Sequence, residues 1–169
     1  MNTASQAQDR IERLKYELGD MLVRFSHLDW LVTFVATALM QESPDVCIGI
    51  LSELSFRKKV DVLKALFQNR PLPPDMATGA KKVLGLVYRS EEGRNRLVHT
   101  TWLAASEEKA FRLKPSAQGK AGFDFGFRQI AEDEVRAATL SIQEAITALS
   151  DYTYSLQEQK LLRFNIVKK

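Results

Sequence analysis

Cysteine and histidine are scarce in this chain, which has one cysteine, Cys47, and two histidines, His27 and His99. A lone cysteine excludes an intramolecular disulfide framework and any cysteine-rich zinc site, and two histidines do not furnish a histidine-based one. No metal or other cofactor is expected. Charge of one sign is not in excess either: Lys+Arg 24 against Asp+Glu 21 leaves a net charge of +3. That balance permits an anionic partner without demanding one. Long apolar runs are absent. The greasiest stretch, from Leu28 to Met40, contains Asp29 and falls well short of the roughly 20 apolar residues of a membrane span. It reads as a buried helix segment. The start, MNTASQAQDR, has neither the basic end nor the apolar core of a signal peptide, so a cytoplasmic location is expected. There is no internal repeat, no GxxxxGK[ST] phosphate loop, no HExxH, no GxSxG and no EF-hand spacing.

What is present is a soluble globular composition, 45% hydrophobic and 27% charged, in a length of 169 residues that fits one domain over 1–169. Periodicity is its clearest feature. Ile11, Leu14, Leu18, Met21, Phe25, Leu28, Val32, Val35 and Leu39 follow one another in steps of three and four, which predicts an amphipathic helix ending before Pro44. Tyr16, Val23, Trp30 and Phe34 make a second apolar stripe on roughly the opposite face. That stripe is either part of one broad core face or a seam for a second subunit. A second helix is expected from about 45 to 68, with Phe56, Val60, Leu63 and Phe67 on one face, stopped by Pro71, Pro73 and Pro74. A third is expected from about 75 to 105, carrying Val83, Leu84, Val87, Leu97, Val98 and Trp102, with Gly93 marking a kink or a close approach. The period then changes to two. Phe111 and Leu113, then Phe123, Phe125 and Phe127, alternate with polar residues or glycine around a turn-rich 115–122, the pattern of a β-hairpin over about 107–130. A last helix, 131 to about 159, presents Val135, Ala138, Ile142, Ala145, Leu149, Tyr152 and Leu156. The expected architecture is all-α, an up-and-down bundle of four main helices with a β-hairpin insertion before the last.

Few residues are placed for chemistry. Cys47, between Val46 and Ile48, reads as a small buried hydrophobe, and His27 as a structural histidine beside the first helix's seam. The informative stretch is Glu91-Glu92-Gly93-Arg94-Asn95-Arg96-Leu97-Val98-His99. On a helical wheel Arg94 falls within about 20° of Val83, inside the apolar stripe, while Tyr88, Asn95 and His99 share a line along its edge. A guanidinium cannot be left unpaired there, so either Gly93 rotates the register or Arg94 faces a polar cavity or a partner subunit. A cation, an amide and an imidazole near one another suit phosphate recognition and acid–base chemistry. Lys59, Arg96 and Tyr88 are candidate substrate contacts around them, although a lysine at the edge of an apolar stripe also snorkels to water. Arg112, Lys114, Lys120 and Arg128 accompany the hairpin phenylalanines, a mixture that suits single-stranded RNA if the rings are exposed.

Arg94-Asn95-Arg96-Leu97-Val98-His99 resembles the R-x4-6-H motif of the HEPN superfamily (higher eukaryotes and prokaryotes nucleotide-binding), whose residue after the arginine is usually polar, as Asn95 is. The family's four- or five-helix bundle with a late-middle motif is similar to the arrangement expected here. The resemblance implies metal-independent RNA cleavage leaving 2′,3′-cyclic phosphate ends. In it His99 is general base or acid, Arg94 stabilises the phosphorane and Asn95 orients the phosphate or the imidazole. It further implies a homodimer whose two motifs share one cleft, and a prokaryotic toxin or defence role with a cognate antitoxin. The alternative is a non-catalytic helical module that binds RNA or a protein through the same cleft. A purely structural bundle, with Arg94 paired to a carboxylate and His99 buried, is a third reading.

Overall fold

The computed structural model describes residues 3–40, 42–99, 101–105, 109–119, 122–129 and 132–162. Among these residues five helices form the bundle: α1 (Thr3–Leu39), α2 (Pro44–Ser52), α3 (Phe56–Gln68), α4 (Pro74–Val98) and α5 (Glu132–Glu158). Between α4 and α5 the backbone runs through β1 (Thr101–Ala105), β2 (Lys109–Gly119) and β3 (Gly122–Gln129), antiparallel in the order β1-β2-β3. Thr101 lies opposite Leu113, and Leu113 opposite Phe127.

The helical periods locate the core. Met21, Phe25, Leu28, Val32, Val35 and Leu39 of α1 are buried, as are all seven residues of the α5 stripe from Val135 to Leu156. α1 packs against α3 and α5, and α4 against the same two, so α1 and α4 face each other across the core. Residues 11–39 are apolar and long enough to cross a membrane by length and composition, but half of that segment's apolar window is buried inside the bundle.

Two expected helix boundaries are corrected. The helix expected over 45–68 is two helices, broken at Glu53-Leu54-Ser55, where Ser55 takes an extended N-cap conformation with φ −62° and ψ 155°. No proline or glycine forces this break; phase does. Continued without interruption, the helix would put buried Cys47 and Leu51 on nearly the opposite side from buried Val60, Leu63 and Phe67. The interruption turns both faces inward. α2 itself begins at Pro44 after Ser43, whose Oγ accepts the Val46 N–H at 3.4 Å. The third helix, expected to reach residue 105, stops at Val98 with His99 as its C-cap (φ −87°, ψ 45°). Trp102 therefore belongs to β1, opposite Arg112 of β2, and not to the apolar face of α4.

The helix ends are tied together by one side chain. Arg70, just past α3, donates through Nη1 to the Leu161 carbonyl at 2.6 Å and through Nη2 to the Leu39 carbonyl at the end of α1. It thereby satisfies a carbonyl that the helix leaves open. The side chains of Arg112, Lys114, Lys120 and Arg128, those of the hairpin phenylalanines, and the tail 165–169 lie outside the described residues.

Candidate active site

The last three turns of α4 carry the polar residues singled out in the sequence. Arg94 sits half-buried with its guanidinium over the Phe25 ring of α1, 4.8 Å from the centroid, a placement that stabilises a cation against an apolar wall. Its Nη1 donates to Asn95 Oδ1 at 2.8 Å and lies 3.4 Å from His99 Nε2. A guanidinium only donates, so in this contact Nε2 is the acceptor and the neutral ring carries its proton on Nδ1. Arg94 Nε is buried and has no hydrogen-bond partner among the described residues. Arg94, Asn95 and His99 thus converge within one chain, and His99 is exposed rather than buried.

Behind them stands Glu91, buried in the bundle. Its carboxylate meets Arg57 Nε of α3 at 2.8 Å and is hydrogen-bonded by Asn95. Asn95 is therefore held from both ends of its amide, accepting from Arg94 and donating to Glu91. Burial pushes the Glu91 carboxyl above the usual glutamate value, and Arg57 and then Asn95 pull it back down. Arg57 also lies over the Tyr88 ring, 4.7 Å from its centroid, and Tyr88 Oη donates to Asp61 Oδ1 at 2.9 Å. Desolvation, together with that bond, pushes the Tyr88 phenol up to about 12.

Sequence reasoning did not single out Glu91 as a support. The available signal was its spacing: it lies one turn before Asn95, on the side of α4 that Tyr88 also occupies. Arg57 and Asp61 had no comparable signal, because their partners are on another helix.

Lys59 does not join this group. It is buried on α3, and its Nζ is 2.9 Å from both carboxylate oxygens of Asp29 on α1. Tyr88 belongs to the supporting side of the cluster, bound to Asp61. Arg96 is exposed and lines an open groove of about 940 Å³ between α4 and α5. Asn95 and His99 reach the same groove, with Arg89 and Glu92 on the α4 wall and Glu134 and Ser141 on the other. Gly93 lines it too, and a Cβ there would meet that of Ala138 at 3.6 Å, an ordinary contact with α5.

Cys47 is buried, and His27 is exposed beside Trp30, with ring centroids 6.2 Å apart. No cluster of histidine, cysteine and carboxylate side chains with metal-binding geometry occurs among the described residues. No family model, no curated protein and no solved structure matches the chain.

Proposed function

We propose that this protein is an RNA endonuclease of HEPN type that works without a metal ion. The observation that carries the reading is the contact of Arg94 with Asn95 and His99 at the C-terminal end of α4. A half-buried guanidinium with an unpartnered Nε stands beside an exposed imidazole and an amide held from both sides. One phosphodiester placed against Arg94 lies within reach of His99 as well. In this reading the ribose 2′-oxygen attacks phosphorus as His99 takes its proton. Arg94 balances the charge that builds on the phosphoryl oxygens, and the P–O5′ bond breaks as the leaving oxygen takes a proton from water, His99 later giving up its own to solvent. The products carry a 2′,3′-cyclic phosphate and a 5′-hydroxyl.

The groove between α4 and α5 is the path for the RNA strand, with Arg89 and Arg96 along it. The strands between α4 and α5 are then a hairpin insertion into the bundle. A cytoplasmic toxin or defence protein, checked by a cognate antitoxin, is the setting that the resemblance implies. The second reading, a binding module without catalysis, draws on Glu92 and Glu134, which line the same groove and suit a partner of mixed charge better than RNA.

Labelled single-stranded RNA incubated in EDTA with the wild type and with His99→Ala tests the reading. Cleavage to cyclic-phosphate ends by the wild type, lost by about 100-fold or more in a folded His99→Ala, is the expected result. No wild-type cleavage across varied RNAs, or equal cleavage by both proteins, overturns it and leaves the binding module.

A further inference from the structure

A line of cations runs along α4 and ends at the candidate site. Lys82, Arg89 and Arg96 recur every seven residues, and all three are exposed. Seven residues fall about 20° short of two full turns, so the line winds slowly around the helix. That drift carries it toward the face of His99, which lies about 60° further round in the same sense. From Lys82 to Arg96 the helix rises about 21 Å.

Other cations of the bundle are already committed. Arg24, Arg57, Lys59 and Arg136 each meet a carboxylate within 3.3 Å, whereas Lys82 and Arg89 form no ion pair among the described residues. Arg89 also leans along the line. Its Nη1 lies over Gly85, one turn nearer Lys82, at 3.7 Å from where a Cβ would stand. Across the groove, α5 offers Ala137 and Ser141, small side chains that leave room for a strand lying along α4. The groove's two carboxylates, Glu92 and Glu134, stand toward the His99 end, which Arg94 and Arg96 also occupy.

We infer that Lys82, Arg89 and Arg96 form a track for single-stranded RNA, holding about four nucleotides on one side of the scissile bond by their phosphates. For the bond that is cut, at Arg94 and His99, this rests on the nuclease reading; for the binding it does not. Cations in a row along one helix contact phosphates and read no base edge, so the grip is indifferent to sequence. Packed helices stand about 8–10 Å apart, and α4 is packed against α5. A cleft of that width admits one strand and excludes a duplex. Among the described residues the track leaves His99 in one direction only, toward the start of α4, so it grips the RNA on one side of the break.

RNA that cannot be cut tests the track apart from cleavage. A fluorescent single strand of about 12 nucleotides, 2′-O-methylated throughout so that no 2′-oxygen can attack, is titrated with the protein at several salt concentrations. Contacts from Arg94 and the three track cations give a slope of log affinity against log salt of about −3. Lys82→Ala and Arg89→Ala should each make that slope shallower by about 0.7 and weaken binding about threefold or more. Lys64→Ala, which removes an exposed cation of α3, should change neither. The same sequence as a duplex should bind about tenfold more weakly or worse. No measurable binding, unchanged slopes in Lys82→Ala and Arg89→Ala, an equal change in Lys64→Ala, or a duplex bound as tightly each overturn the track.

Chimeras with a single 2′-hydroxyl at varied distances from each end supply the cleavage arm. The rate should fall about tenfold when fewer than about four nucleotides remain on one side, and hold when the other side is trimmed. Equal loss from either side overturns the one-sided grip. Cleavage with wild-type slopes in both variants keeps the nuclease and removes the track. The expected slopes without any cleavage keep the track and remove the nuclease.

Discussion

Glu91 and Arg57 bind α4 to α3 through a contact of 2.8 Å between Oε2 and Nε, with the carboxylate buried and the guanidinium partly in water. The pair also supports the candidate site, since the same carboxylate receives the amide of Asn95. Removing one partner leaves a buried charge without its counter-ion, which costs more than the pair itself contributes.

Arg57→Ala therefore has a pH-dependent cost. Burial already raises the Glu91 carboxyl, and the Arg57 guanidinium, a cation beside an anion, is the main pull against that rise. Without it the carboxyl moves higher still. A raised carboxyl contributes stability below its unfolded value and loses it as pH rises through the folded one. The variant should thus be near wild-type stability in acid, where Glu91 is protonated, and less stable by about 1–2 kcal/mol at neutral pH. Urea denaturation at both pH values measures this. An equal deficit at both would show that Arg57 acts through packing on Tyr88 and not through Glu91.

Lys59 and Asp29 form the second cross-helix pair, joining α3 to α1 with both oxygens at 2.9 Å. The expected effect of Lys59→Ala is on stability, a loss of about 1–3 kcal/mol, with any RNA cleavage by the folded protein unchanged. The double variant Lys59→Met with Asp29→Asn should recover much of that loss, because no charge is left unpaired. A folded Lys59→Ala with cleavage reduced about tenfold or more would return Lys59 to the substrate site.

These pairs mark the boundary of what the sequence made legible. Position along a helix was readable, because burial of one face imposes a period. All seven stripe residues of α5 are buried, and Arg94, Asn95 and His99 do come together at one end of α4. Which residue of another helix lies opposite was not readable, since that depends on how the helices are set against each other. Lys59 thus looked like a lysine able to reach a phosphate, and nothing in the sequence paired Glu91 with Arg57. The break between α2 and α3 escaped for a related reason: it answers to two faces that must both turn inward, while the local sequence contains no breaker.

Two glycines in helices should respond in opposite directions to alanine. At Gly49 in α2 an added Cβ meets nothing within 4 Å, so Gly49→Ala gains the helix propensity alone, about 0.5–1 kcal/mol. At Gly79 in α4 it would lie 3.0 Å from Tyr152 Cε2 and 3.2 Å from Cδ2. That ring cannot easily retreat, being buried, set edge-on to Phe67 and hydrogen-bonded through Oη to the Met76 carbonyl at 2.9 Å. Gly79→Ala should therefore lose about 1 kcal/mol or more despite its better propensity. Thermal midpoints of the two variants, moving up and down respectively, check the contrast; a rise in both would mean that the α4–α5 contact yields.

Tyr152 also governs the alkaline limit of the fold, together with Tyr88. Each phenol is pushed from 10.0 up to about 12, in both cases chiefly by desolvation, helped by Asp61 at Tyr88 and by Asp75 at Tyr152. The folded state therefore holds these protons more tightly than the unfolded chain does. The stability this gives is fully present below pH 10.0 and is lost as pH rises toward about 12. Tyr152→Phe separates the two contributions. At neutral pH it loses the bond to the Met76 carbonyl, about 1 kcal/mol. Above pH 10.0 it has no phenolic proton to surrender, so its stability should fall less steeply with pH than that of the wild type. Urea midpoints followed upward from neutral pH give both numbers at once. Parallel curves for the two proteins would show that Tyr152 ionises in the folded state as readily as in the unfolded one, and would leave Tyr88 with the whole effect.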